Sequence, residues 1–137
     1  MKAMGLDIGS VTVGVALSDG LKMIASSYTV IRYEYENDQL FTQIIKIIED
    51  NDVDEVIVGM PYHMNGDFSE GCARTKRFEE EILKRKQIKI VEVDERMSTI
   101  TAQNALLTFD VSRKKRKKVV DKVAATVILQ TYLDRKF

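Results

Sequence analysis

Three acidic positions stand out in this chain for the surroundings their neighbours imply: Asp7, Asp121 and the pair Asp94-Glu95, which Arg96 follows. Around Asp7, Met4, Leu6 and Ile8 alternate with Ala3, Gly5, Asp7 and Gly9, so a strand here gives Asp7 a face of small residues only. The next segment repeats the pattern, with Val11, Val13, Val15 and Leu17 on one face and Thr12, Gly14, Ala16 and Ser18 on the other. A face so poor in volume lets a helix or a substrate backbone come close. Asp121 falls on a helical stripe with Ala125, Ile128 and Tyr132, beside Ala124, in a segment apolar almost all round. An ionised carboxylate buried there needs a cation or donor to offset its desolvation. Carboxylates on two facing small-residue surfaces suit a hard cation, Mg²⁺ or Mn²⁺, because no His/Cys cluster offers other ligands. With a third carboxylate from Asp94-Glu95, such ions would relieve the mutual repulsion and lower the pKa of a water, which is the chemistry of phosphodiester cleavage.

Each position also has a plainer reading. Asp7 reads about equally as the cap of a turn at Gly9-Ser10. Asp121 could occupy the first turn of its helix, solvated and favoured by the helix dipole. Asp94-Glu95-Arg96 by itself is an ordinary surface ion pair.

The elements that must position these residues follow from periodicity. Residues 3–9 and 11–18 read as strands, and the turn Asp19-Gly20 with the apolar stretch through Ile31 adds a third strand. Leu40, Phe41, Ile44, Ile45 and Ile48 recur at helical spacing over 38–50. A short buried strand over 53–58 ends at Gly59 and the only proline, Pro61, and a loop leads to a helix over 69–86 with Ser69 as its cap. Residues 88–93 form a last strand, Ser98 or Thr99 caps a helix to about 108, and a long helix covers 118–134. The order β-β-β-α-β-α-β-α-α predicts an α/β fold, a mixed five-stranded sheet flanked by helices, with the whole of 1–137 as one domain. The loop from Gly59 to Gly66 leaves the carboxyl end of a parallel strand, where open α/β sheets place ligands, and Asn65-Gly66 permits a tight turn whose N–H groups suit a phosphate or sugar. A stiff connection is the plain alternative, and it is preferred for His63.

Composition sharpens the electrostatics. The 137 residues carry 21 Lys+Arg against 21 Asp+Glu, which superficially argues against a polyanionic partner. Six consecutive basic residues, Arg113-Lys114-Lys115-Arg116-Lys117-Lys118, leave 15 basic against 21 acidic elsewhere, so an acidic body carries one concentrated cationic segment. That run is expected to be a solvated loop, yet lying just before Asp121 it can neutralise several phosphates. No stretch approaches the ~18 apolar residues of a membrane span, the N-terminus lacks a signal-peptide shape, and Cys72 stands alone. The expectation is a reduced, cytoplasmic protein without a membrane partner.

Four blocks in order now carry a resemblance over essentially the whole chain. Gly5-Leu6-Asp7-Ile8-Gly9-Ser10 with Gly14-Val15-Ala16-Leu17-Ser18-Asp19, then Val58-Gly59-Met60-Pro61 with Asn65-Gly66, then Val93-Asp94-Glu95-Arg96-Met97-Ser98-Thr99, then Asp121-Lys122-Val123-Ala124-Ala125 with Ile128-Leu129-Gln130-Thr131-Tyr132-Leu133, resemble the YqgF family, also called RuvX. That family is described both as Holliday junction resolvases and as pre-16S rRNA nucleases. The resemblance implies a ribonuclease H-like fold and a divalent-metal nuclease whose acidic residues correspond to Asp7, Glu95 and Asp121; Glu95 rather than Asp94 rests mainly on the family motif. Arg96 could contact a phosphate or only pair with Asp94, and Lys117 or Lys118 could contact a phosphate or lower the pKa of Asp121. The substrate is structured RNA or branched DNA, and a resolvase cutting two strands symmetrically is expected to form a homodimer. Two competing readings are a non-catalytic nucleic-acid-binding module and an actin-like ATPase or sugar kinase; the second needs two lobes, which 137 residues do not provide.

Overall fold

A computed structural model describes residues 1–61, 69–94 and 113–135, with side chains in the last segment described from Ala124 onward. Five strands, β1 (Lys2–Ile8), β2 (Thr12–Ser18), β3 (Ala25–Arg32), β4 (Val53–Met60) and β5 (Lys89–Asp94), form one sheet in the order β3-β2-β1-β4-β5. The first three are antiparallel neighbours, while β4 runs parallel to both β1 and β5. The helices are α1 (Asp38–Asp50), α2 (Glu70–Arg85) and α3 (Arg113–Arg135). The mixed α/β sheet is therefore as expected; the helix expected up to about 108 lies outside the described residues.

Strand alternation sorts the sheet into two unlike faces. Met4, Leu6, Ile8, Val13, Val15 and Leu17 project to one side, where Leu40, Phe41, Ile44 and Ile48 of α1 and Phe78 and Ile82 of α2 complete the larger core. Ala3 and Ala16 project to the other, where Ala125, Ile128, Leu129 and Leu133 of α3 pack with Ile57 and Val93. Phe41 meets Phe78 edge-on, with ring centroids 5.0 Å apart. Both helices of the large-residue face are capped by side chains: Asn37 Oδ1 accepts from Leu40 N at 2.9 Å, and Ser69 Oγ accepts from Cys72 N at 3.2 Å.

The small-residue face admits α3 very closely. A Cβ on Gly5 would lie 2.7 Å from the Ala125 carbonyl oxygen and 2.8 Å from Leu129 Cβ, so only glycine fits beneath this helix. Polar tethers hold the other end of α3. The Gln130 side chain accepts from Ala25 N at 2.8 Å and donates to the Met23 carbonyl at 3.0 Å, while Tyr132 donates to Glu55 Oε2 at 3.0 Å. Glu55 is buried on β4, and Lys22 Nζ stands 3.1 Å from its Oε1, which compensates the buried charge.

Three elements depart from expectation. β4 continues through Gly59 to Met60, because β5 pairs with it there, Gly59 opposite Val93 and Met60 opposite Asp94. Leu21 to Ile24 form a loop instead of the start of β3, since Asp19 Oδ1 accepts from Met23 N at 2.8 Å and Ile24 N at 3.0 Å and closes the connection. The basic run 113–118 is helical and not a loop, and it is continuous with the rest of α3. Lys and Arg are good helix formers, and a run extended from a packed helix avoids the cost of nucleation.

One carboxylate outside the proposed site makes stability depend on pH. Burial raises the Glu79 pKa to about 7, and the Glu92 carboxylate on β5 adds to the effect. The unfolded carboxyl titrates near its ordinary 4.5, so between that value and about 7 the folded state binds more protons than the unfolded one. Stability from this group is therefore present at low pH and lost as pH rises through about 7. The melting temperature is expected to fall between about pH 5 and 7, and Glu79→Gln to flatten that interval; an equal slope in both proteins would exclude the assignment.

Candidate active site at the carboxyl edge of the sheet

Asp7 is half-buried near the carboxyl end of β1, paired in register with Gly14 of β2. It shares the small-residue face with Gly5, two positions earlier. The direction of α3 over that face follows from its contacts. Tyr132 reaches Glu55, which pairs with Ala3, while Ala125 and Leu129 cover Gly5. Moving toward the N-terminus of α3 therefore means moving toward the carboxyl end of β1. Asp121 precedes Ala125 by four residues, about 6 Å along the helix, and Asp7 follows Gly5 by about 6.6 Å along the strand, so the two backbone positions come level. Asp121 lies in the third turn of α3, not in its first turn as the solvated alternative required; its side chain is outside the described residues.

Strand geometry fixes the face of Asp94. Val91 and Val93 pack on the α3 side, whereas Ile90 packs into the core beneath α1 and α2, and Glu92 is 2.8 Å from Lys76 of α2. Asp94 continues the 90, 92 series and so faces away from Asp7. The 91, 93 series leads to position 95, which lies outside the described residues, as do Arg96, Asn65 and Gly66. Lys114, Lys115, Arg116, Lys117 and Lys118 have their backbone in the first turns of α3, with side chains outside the description. Among the described residues no three His, Cys, Asp or Glu side chains gather as a metal site, and Asp7 is the one proposed ligand whose side chain is described.

The surroundings of Asp7 are fixed from both sides. Gly9 N donates to the Thr12 carbonyl at 2.7 Å, and the Tyr33 hydroxyl donates to the Gly9 carbonyl, closing the β1–β2 turn. Burial pushes the Tyr33 hydroxyl pKa up, so it stays protonated and remains a donor. On the β4 side, Ser69 Oγ donates to the Pro61 carbonyl at 2.5 Å, and a Cβ on Gly71 would lie 2.6 Å from Pro61 Cγ. Pro61 is thus fastened to the start of α2. Sequence reasoning missed Tyr33, because its tie to Gly9 depends on a long-range register that no local motif signals.

The sequence profile described as "RuvX: Holliday junction resolvase" matches residues 1–135. The chain belongs to the RuvX family. A RuvX relative from Bacillus cereus (strain AH187), named "Putative pre-16S rRNA nuclease", is 43% identical over 137 residues, covering 99% of this chain and 100% of the relative. Another of the same name, from Natranaerobius thermophilus, is 46% identical over 136 residues, covering 98% of this chain and 95% of the relative. Among solved structures, Thermus thermophilus RuvC in complex with a Holliday junction substrate superposes with a TM-score of 0.60 at 12% identity, covering 99% of this chain and 96% of that one. The fowlpox virus Holliday junction resolvase gives 0.56 at 11% identity, covering 98% and 99%. At such identities these two structures share the fold with the RuvX chain. No helix among the described residues is long and apolar enough to cross a membrane.

Proposed function

We propose that this RuvX-family chain is a nuclease that hydrolyses phosphodiester bonds in structured RNA, with the 5′ end of pre-16S rRNA as its substrate and the cytoplasm as its setting. The observation that carries this reading is the close seating of α3 on Gly5, which brings the turn bearing Asp121 level with Asp7. Asp7, Asp121 and Glu95 form the proposed set, and strand alternation favours Glu95 over Asp94 because Asp94 belongs to the opposite face.

Carboxylate oxygens without imidazole or thiolate partners fit a hard divalent ion, Mg²⁺ or Mn²⁺, held by Asp7, Glu95 and Asp121. When bound, such an ion supplies Lewis-acid stabilisation of phosphate charge and lowers the pKa of water. The chain's own contribution is orientation. Asp7 is held on a central strand whose following turn is closed by Tyr33, and α3 is anchored at its far end by Gln130 and Tyr132. The basic run supplies charge for the substrate backbone. Its backbone forms the first turns of α3, where the helix dipole opposes positive charge and a phosphate partner would relieve the conflict. Replacing Lys114, Lys115, Arg116 and Lys117 by Ala is expected to weaken binding to all sequences alike and to flatten the logarithmic salt dependence by up to about three. Unchanged affinity at low salt would exclude this role.

Incubation with structured pre-16S RNA, single-stranded DNA and a four-way DNA junction, with Mg²⁺ or Mn²⁺, tests the whole reading. Cleavage of the RNA supports it. Preferential, symmetrical cleavage of the junction by a homodimer would support the alternative suggested by the family's description, a Holliday junction resolvase. Binding without cleavage of any substrate would favour a non-catalytic module.

A further inference from the structure

The proposed substrate cations at 113–118 belong to α3. The opposite end of the sheet carries another cation on the same face. Asp7 pairs with Gly14, Gly14 with Val30, and Thr12 with Arg32, so Arg32 lies on the face that Asp7 and α3 share. Its neighbour Ile31 belongs to the large-residue core on the reverse side, which agrees with that alternation. Two strand spacings and one pleat separate the Asp7 and Arg32 backbones, about 12 Å in all.

The backbone at Arg32 is fastened to the turn that follows Asp7. Tyr33 N donates to the Val11 carbonyl at 2.9 Å, the Tyr33 hydroxyl donates to the Gly9 carbonyl, and the Tyr33 ring packs on Phe78 with centroids 6.0 Å apart. The end of β3 is therefore tied to the turn that follows β1.

Charge pairing distinguishes Arg32 from arginines with a structural task. Arg77 donates to both oxygens of Glu36 at 3.0 and 2.7 Å, and Arg85 is bound by Glu81 at 2.8 Å and Asp38 at 2.6 Å. Arg32 is exposed and has no carboxylate within ion-pair distance among the described residues. Arg74 also lacks such a partner there, but α2 packs on the other face of the sheet. A guanidinium with free donors beside a phosphodiester site is suited to a bidentate contact with a phosphate.

We propose that Arg32 contacts a backbone phosphate of the bound nucleic acid on the β3 side of Asp7, so that the substrate strand crosses the carboxyl edge of the sheet from β3 toward α3. This rests on the nuclease reading above and extends its binding surface to the edge strand.

Equilibrium binding of a structured RNA in EDTA, repeated over a salt series, tests it with the unsubstituted protein, Arg32→Gln, Arg32→Lys and the control Lys46→Gln. Lys46 is exposed on α1, away from the proposed track. Arg32→Gln is expected to weaken binding about tenfold and to reduce the logarithmic salt slope by about 0.7 to 0.9. Arg32→Lys should keep the slope and lose part of the affinity, and Lys46→Gln should change neither. In cleavage assays the loss should appear in KM with kcat nearly unchanged. If the unsubstituted protein binds RNA and Arg32→Gln matches it in affinity and slope, the Arg32 contact is overturned while the nuclease reading stands. If the unsubstituted protein binds no nucleic acid, both are overturned.

Discussion

Gly5→Ala is expected to destabilise the protein by about 3 kcal/mol, at the upper end of what one added methyl usually costs in a packed interior. The added Cβ would meet the Ala125 carbonyl oxygen at 2.7 Å and Leu129 Cβ at 2.8 Å, distances that Cβ atoms do not tolerate. Neither neighbour can turn aside. The carbonyl belongs to the helix backbone, and Cβ of residue 129 is present in every residue except glycine, so Leu129→Ala should not rescue the variant. Relief requires α3 to lift from β1, which separates the turn bearing Asp121 from Asp7. A displacement of this kind far from the reacting atoms can cost about a hundredfold in rate, so cleavage should fall further than the fraction of folded protein explains. Gly20→Ala is the matched control, because a Cβ there meets nothing within 4 Å. Denaturant unfolding and single-turnover cleavage measure the two effects separately. A Gly5→Ala protein with unchanged midpoint and unchanged rate would mean that α3 does not sit on β1 as described.

The same contact shows which parts of the proposed site were legible in the sequence. A strand that alternates large aliphatics with Ala, Gly and Asp announces two unlike faces, and those faces dictate which helices each can receive. Asp7 was visible because it is the one charged residue on the small face of β1. Asp121 was visible as a stripe position, but its depth in the helix was not. Six adjacent like charges repel, which suggested a loop, whereas anchorage of α3 by Gln130 and Tyr132 lets the helix extend back through them. The face of Asp94 was hidden because Ile90 and Val91 are both apolar and mask the alternation; the Lys76–Glu92 pair and the packing of Val93 show that Asp94 belongs to the face away from Asp7. Arg32 and Tyr33 gave no signal, since their meaning comes from a register linking β3 to the turn after β1. The order of elements was enough for the mixed sheet and its parallel crossovers, whereas the turn closed by Asp19 and the registers that bring individual residues together across the sheet were not legible.

Asp7→Asn is expected to reduce cleavage by about a thousandfold or more, the scale seen when a group that stabilises transition-state charge is removed, while leaving nucleic-acid binding intact or tighter. The substitution separates the two readings of this residue because Asn and Asp cap turns about equally well. If Asp7 serves only the turn at Gly9-Ser10, Asn should replace it without loss. That turn is already closed by Gly9 N on the Thr12 carbonyl at 2.7 Å and by the Tyr33 hydroxyl on the Gly9 carbonyl, so its geometry does not depend on the charge of residue 7. Charge is what a hard divalent ion requires, and an amide oxygen is a far weaker ligand for it than a carboxylate. Removing one negative charge also lessens repulsion among the proposed carboxylates and from phosphate, so the melting temperature without metal should rise slightly and affinity for RNA should not fall. Cleavage, binding in EDTA and thermal melting therefore move in different directions in one variant, which loss of folding cannot imitate. Cleavage at the unsubstituted rate by Asp7→Asn would remove Asp7 from the site and leave it the turn residue that its neighbours Gly9 and Ser10 also allow.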